Sequence, residues 1–200
     1  AASDVYKRQI NASAVGFYGD RGTQTMSETD THGQGFLSQC CAAWEEAAHQ
    51  ITGDFPTAII RIGIVLSTIG GALEKILIPL KLKTNTYFAD GSQYMSWIHI
   101  DDLCGIFQML LDKPISGVFN AVASTPLSNK DFVKQVAKGM DTSAILLPAP
   151  AFGLRLAMGE MADVVLESTR VSNAKIKDLG YSFKFENLPD AVADLNLKGI

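Results

Sequence analysis

Two adjacent carboxylates, Asp101 and Asp102, follow a histidine, His99, that stands between Ile98 and Ile100. Paired acids beside an imidazole are the residue types of general acid–base work. They also open a helical stretch, where acidic side chains favour the dipole, and capping by Asp101 is the reading adopted. His99 alternates with its isoleucines as a strand residue does, which makes it either a structural histidine or a substrate contact. Arg61 stands inside the apolar run Thr57 to Leu66. A guanidinium there must meet a carboxylate or the polar groups of a ligand. Ser13 and Tyr18 lie in Ser13-Ala14-Val15-Gly16-Phe17-Tyr18-Gly19. Ser13 either satisfies backbone at a strand end or touches a ligand, and Tyr18 is read as packing. Cys40 and Cys41 read as small core residues, because no electropositive neighbour is visible that would activate a thiol. Trp44 reads as core, and Gly70-Gly71 as a plain turn in preference to a phosphate cradle.

These residues need a scaffold, and the periodicity supplies one. Ile10 to Val15 reads as the end of a buried strand, although Lys7, Arg8 and Gln9 stand where its apolar start belongs. A junction near residue 9 is therefore expected. Thr23 to Gly35 is polar and turn-rich, hence a loop. Leu37, Cys40, Cys41, Trp44, Ala48 and Ile51 recur at helical spacing, which predicts a helix over 36–51. Thr57 to Leu66 is β-branched and nearly continuous in apolar character, as a strand covered on both faces would be. A second helix is expected from Ala72 to about Leu82, and short strands at Thr86 to Phe88 and Ser96 to Ile100. Asp101 then caps a helix over 102–111, and Gly117 to Val122 is a strand. Ser128, with Asp131 three residues on, caps a helix running to Met140. Ile145 to Leu147 forms a strand, and short helices follow at 173–179 and 188–195. Alternating strands and helices imply an α/β fold with a parallel sheet. The segments near 10–15, 58–66 and 117–122 are its expected parallel strands.

Composition removes several function classes. The chain has 200 residues, 47% hydrophobic and 19% charged, with a net charge of −4. Its basic residues are scattered, which argues against a nucleic-acid partner. No apolar stretch reaches the roughly 18–20 residues of a membrane span. The three cysteines form no CxxC spacing, which argues against a disulfide framework or a zinc site and for a reducing, cytoplasmic setting.

Four segments in order resemble one family. Ser13-Ala14-Val15-Gly16-Phe17-Tyr18-Gly19, Arg61 to Leu66, Trp97-Ile98-His99-Ile100-Asp101-Asp102-Leu103 and Gly117 to Val122 are similar to the extended short-chain dehydrogenase/reductases. Trp44-Glu45, Gly70-Gly71-Ala72-Leu73, Gly91-Ser92-Gln93, the proline-rich segment and Gly159-Glu160 to Arg170-Val171 narrow the resemblance. They point to an atypical branch, the NAD-dependent epimerase/dehydratase-like epimerase family proteins, which carry a C-terminal domain of unknown function.

The resemblance implies the C-terminal part of a Rossmann-like parallel sheet with a smaller α+β substrate domain. Residues 10–70 and about 96–123 would be the remainder of the NAD(P)-binding domain, and 71–95 with 124–200 the substrate domain. It implies NADP or NAD as cofactor and a small, nucleotide-linked or similar molecule as substrate. No G-x-G-x-x-G occurs in these 200 residues, so weak cofactor binding is expected of this chain alone. By the same resemblance Ser13 is catalytic, and Ser13, Ala14, Arg61, Ile62 and Val65 touch the cofactor. Trp97, His99 and Arg170 touch substrate, and no metal is expected. In the ordinary class a tyrosine and a lysine sit four residues apart on one helix. Those places fall here on Leu37 or Phe36 and on Cys41 or Cys40, and neither pair can do that acid–base chemistry. A non-catalytic dinucleotide-binding sensor or scaffold is therefore the competing expectation.

Overall fold

The structure, a computed structural model, describes residues 8–50, 55–70 and 72–197. Strand β1 (Gln9–Ala14) runs into a single 3-10 turn at Val15–Tyr18, and the short β2 (Thr25–Met26) follows. Helix α1 (Phe36–Gln50) leads to β3 (Thr57–Ile62) and β4 (Ile64–Leu66). Next come α2 (Ala72–Lys81), β5 (Thr84–Phe88), β6 (Tyr94–Met95), β7 (Trp97–His99) and α3 (Ile100–Asp112). Beyond them lie β8 (Gly117–Ala121), β9 (Leu127–Ser128), α4 (Asn129–Gly139) and β10 (Ile145–Ala149). The chain closes with α5 (Ala151–Met158), α6 (Asp163–Leu166), β11 (Arg170–Val171), α7 (Ala174–Asp178) and α8 (Leu188–Leu197).

The sheet that matters for the site is β1-β3-β8, all parallel, so the three expected strands do share one sheet. Its middle strand is buried from Thr57 to Arg61, which is why the sequence there is almost uninterruptedly apolar. Ala58, Ile60, Phe119 and Ala121 pack against Leu103, Ile106 and Leu110 of α3, whose spacing lines one helix face. Each Ile, Leu or Phe among them contributes about 1.5–3 kcal/mol when fully buried. A second cluster joins Leu73 and Leu77 of α2, Phe132 and Val136 of α4, Val192 and Leu195 of α8, and Trp97. Among the described residues no helix is long and apolar enough to cross a membrane.

Several expectations change. The run Thr57 to Leu66 is two strands that part at Gly63: Gly63 N–H donates to Ala121 O at 3.1 Å, and Ile64 N–H donates to Ser96 O at 2.8 Å. The chain thereby leaves β8 and takes β7 as partner. A Cβ at Gly63 would lie 2.6 Å from Ser96 O, which excludes any other residue without backbone movement. Helix α1 is rotated from the expected face. Ser38, Glu45 and Ala48 are buried, while Trp44 is 65% exposed, so Trp44 is not core. Cys40 is exposed and Cys41 half-buried. The N-cap of α3 is His99, not Asp101, because the imidazole Nδ1 accepts from Asp101 N–H at 3.1 Å. Ser128 caps α4 as expected, accepting from Asp131 N–H. The expected helix end at Ile51, Gly71 of the glycine pair and most of the expected junction near residue 9 lie outside the described residues.

Candidate functional site

Register brings Ser13, Arg61 and Asn120 side by side across β1, β3 and β8. Paired residues in a sheet project to one face, and this face lies under α1. Helix α1 lowers Glu45 into it. Arg61 donates through Nε to Glu45 Oε1 at 2.9 Å and through Nη2 to Oε2 at 2.8 Å, a two-pronged guanidinium–carboxylate contact. Ser13 Oγ donates to the same Oε1 at 2.6 Å. On the far side Arg61 Nη1 donates to the Tyr18 hydroxyl at 2.9 Å, and that hydroxyl donates to Asn120 Oδ1 at 2.8 Å. The guanidinium lies over the Phe17 ring, 3.4 Å from its centroid. Asn120 is tied down further by Nδ2 to Ser172 O and by its N–H to Glu28 Oε1.

Arg61, Glu45, Tyr18 and Asn120 are buried yet fully engaged, and Ser13 is half-buried at the edge of the row. Burial works against the charged guanidinium, but hydrogen bonds and charge from Glu45 and Tyr18 outweigh it and hold Arg61 above its usual range. Burial also pushes the Tyr18 phenol up despite the neighbouring Arg61, so Tyr18 keeps its proton. Burial, then the Glu45 charge, raises the Cys41 thiol, which is the opposite of what a nucleophilic cysteine needs.

The strand ends beyond this row are small. Ala14 is exposed, and a Cβ placed on Gly16 would meet nothing nearer than Leu37 Cβ at 4.0 Å. Behind them Arg61 is 4% exposed and held by Glu45. Arg61 is thus an internal tie between Glu45 and Tyr18.

The other expected residues lie elsewhere. Ile62 and Val65 are partly buried against the α3 cluster. Trp97 is buried, its Nε1 donating to Thr125 O at 3.2 Å. His99 is wholly buried, stacked 4.0 Å from the Phe185 ring, with Nε2 3.4 Å from Asp194 Oδ2. Because Nδ1 accepts an N–H, the proton of a neutral imidazole sits on Nε2, facing Asp194. Asp101 and Asp194 approach His99 with ligand atoms within 4.8 Å of one another, but that tautomer serves a cap and a contact with Asp194 better than a cation. Arg170, half-buried in β11, lies over the Tyr94 ring at 4.8 Å. Ser13 and Arg61 are therefore brought together, while Trp97, His99 and Arg170 are not part of their network. The residues the sequence did not flag are Glu45 and Asn120. The available signal was Ser38, Glu45 and Ala48 at helical spacing, a narrow inward face with one carboxylate for the buried Arg61.

Residues 149–195 match the family model described as a domain of unknown function, DUF1731. The epimerase family protein SDR39U1 homolog, chloroplastic, of Arabidopsis thaliana is 34% identical over 184 residues, covering 92% of this chain and 53% of that protein. An epimerase family protein of Staphylococcus aureus is 35% identical over 194 residues, covering 94% of this chain and 64% of its own length. Over more than nine-tenths of its length the chain is similar to epimerase family proteins. It spans about half to two-thirds of the length of these curated relatives. The crystal structure of human epimerase family protein SDR39U1 (isoform2) with NADPH superposes with a TM-score of 0.88 at 26% identity, covering 97% of this chain and 66% of that one. A nucleoside-diphosphate sugar epimerase from Corynebacterium glutamicum gives a TM-score of 0.75 at 34% identity, covering 95% of this chain and 38% of that one. The fold is accordingly the α/β Rossmann-like fold of this family. Of the residues expected at the tyrosine and lysine places of the ordinary class, Leu37 and Cys41 are partly buried and Phe36 and Cys40 are exposed.

Proposed function

We propose that this chain carries the nicotinamide side of an NAD(P) site and an adjoining substrate lobe, within an oxidoreductase or epimerase acting on a small, nucleotide-linked or similar molecule. The observation that supports this most is the common end of β1, β3 and β8, where small residues stand in front of the Ser13–Glu45–Arg61 row. Ligands of open α/β sheets bind outside the carboxyl ends of the strands. The human relative crystallised with NADPH supports a nicotinamide dinucleotide there. Ser13, Ala14, Ile62 and Val65 would border the nicotinamide, and Arg61 would act through Ser13 and Glu45. Bound, the dinucleotide would supply the hydride chemistry. Trp97, His99 and Arg170 remain the substrate-side proposals. Since Trp97 and His99 are buried, they would act by shaping the lobe, while Arg170 could meet an anionic group.

Residues 10–70 and about 96–123 would form the cofactor domain, and 71–95 with 124–200 the substrate domain. The cluster around α3 draws mainly on the first set and that around α2, α4 and α8 mainly on the second, which supports this division, with Leu66, Trp97, Ala123 and Ile176 crossing between them. A second reading, a dinucleotide-responsive sensor without fast turnover, is favoured by Leu37 and by the raised Cys41 thiol. Losing a positioned acid–base group costs about 10²–10⁴-fold. Titration with NADPH, followed by nicotinamide absorbance against a panel of carbonyl substrates, separates the two. We expect binding at least about tenfold weaker for this chain than for a longer protein that adds a glycine-rich phosphate turn. Equal affinity of the two would overturn the half-site reading.

A further inference from the structure

We propose that Glu45 fixes the polarity of the Ser13 hydroxyl, so that Ser13 accepts a hydrogen bond from an N–H or O–H group of the nicotinamide riboside and donates none to ligand. The proposal rests on the dinucleotide reading above and deepens it. A serine hydroxyl has one proton and two lone pairs, and an ionised carboxylate can only accept. Glu45 already takes both prongs of the Arg61 guanidinium, at 2.9 and 2.8 Å, so it has no proton to give. The 2.6 Å contact between Ser13 Oγ and Glu45 Oε1 must therefore use the serine's own proton. That separation is typical of a charge-assisted O–H···O⁻ bond, the stronger kind. With its proton turned inward, the half-buried Ser13 presents only lone pairs to anything at the strand end. A hydroxyl wired in this way cannot polarise a substrate carbonyl, which needs a donor. It selects donors instead.

Arg61 and Tyr18 make the arrangement stiff. Glu45 cannot turn away without abandoning a guanidinium that is 4% exposed, and Arg61 is held from the other side by the Tyr18 hydroxyl and the Phe17 ring. Glu45 is thus a positioning residue for Ser13. Two donors of the cofactor share the required chemistry, the carboxamide N–H and a ribose hydroxyl. Replacing the carboxamide by a methyl ketone, as in the 3-acetylpyridine analogue of NADPH, removes the first and keeps the second.

The test uses the complete protein and two readouts. In the first, proton NMR of ligand-free protein should show one slowly exchanging hydroxyl resonance that is lost in Ser13→Ala and in Glu45→Gln. It should persist when NADPH saturates the site. In the second, Ser13→Ala should weaken NADPH binding about 3- to 10-fold, the range of one lost hydrogen bond, and Ser13→Thr should restore it. An unchanged affinity for the acetylpyridine analogue in Ser13→Ala assigns the donor to the carboxamide, and an equal loss assigns it to the ribose. A resonance that vanishes or moves on saturation means that the proton has been re-aimed at ligand, and the proposal fails. It fails as well if Ser13→Ala binds both dinucleotides like wild type. Wild-type protein that binds neither dinucleotide overturns the cofactor reading and the ligand role together, a result distinct from these. Should Glu45→Gln not fold, Ser13→Ala and Ser13→Thr still decide the matter.

Discussion

Beneath α1, one face of the β1-β3-β8 sheet carries Ser13, Arg61 and Asn120; beneath α3, the other carries Ala58, Ile60, Phe119 and Ala121. Both faces are buried, and their physics differs. The α3 face gains from apolar area removed from water, a gain roughly proportional to that area and insensitive to exact geometry. On the α1 face charges have been taken out of water, and each must be matched or the cost is severe. Buried ion pairs are weak sources of net stability, so their presence next to the strand ends favours a positional role over a stabilising one. The polar face locates groups; the apolar face holds the sheet together.

The largest effect should come from breaking the polar face in one place. Arg61→Met leaves the Glu45 carboxylate buried without its partner and should cost about 3–5 kcal/mol. Converting both residues, Arg61→Met with Glu45→Leu, removes the uncompensated charge and should recover most of that loss. Urea melts of the single and double variants check this, since the recovery is a coupling term that independent sites would not show. If the double variant is as unstable as the single, Arg61 and Glu45 stabilise the fold directly and the contrast between the faces collapses. A smaller effect belongs to the apolar face: Ile60→Val should cost about 0.5–1.5 kcal/mol, as one lost methylene in a closed core does. It should leave the protected Ser13 hydroxyl proton in place.

Much of this sheet was legible in the sequence. The β-branched run around Ile59 and Ile60 and the strand Gly117 to Val122 announced parallel, doubly covered strands, and Arg61 announced a buried partner. What stayed hidden was non-local. Whether Glu45 or a ligand would answer Arg61 depends on how α1 is rolled on the sheet, and one residue of difference is about 100° of helix. The apolar Trp44 beside it suggested the wrong roll, and the structure turns Trp44 outward. Asn120 was invisible for a similar reason. Its amide matters only because Tyr18, on a turn 102 residues earlier, reaches it. The break at Gly63 was hidden because both halves of Thr57 to Leu66 are equally apolar and change partner without changing character.

The smallest expected effect concerns pH, and it separates capping at the surface from the wiring of the sheet. Asp131 is held below its ordinary value of 3.8, chiefly by the Ser128 hydroxyl and then by Lys134. A carboxyl with a lowered folded-state pKa adds stability above its unfolded value, and that stability is lost as pH falls through the lower one. Glu167 runs the other way. Burial, then the charges of Asp163 and Asp20, holds it above 4.5. Its contribution is complete below 4.5 and disappears as pH rises through the raised value. Ser128→Ala should therefore cost about 1 kcal/mol at neutral pH, the usual worth of an N-cap. Most of the pH-dependent part of that difference should vanish on acidification below the Asp131 range. Glu167→Gln should instead flatten the stability curve on the neutral side of 4.5 and leave the acid limb unchanged. Urea melts at several pH values between 3 and 8 measure both slopes. If Ser128→Ala changes the slope on the neutral side, or Glu167→Gln the slope on the acid side, these two carboxyls are not the groups that set them. Neither substitution touches the Ser13–Glu45–Arg61 row, so the affinity for NADPH should not follow either slope.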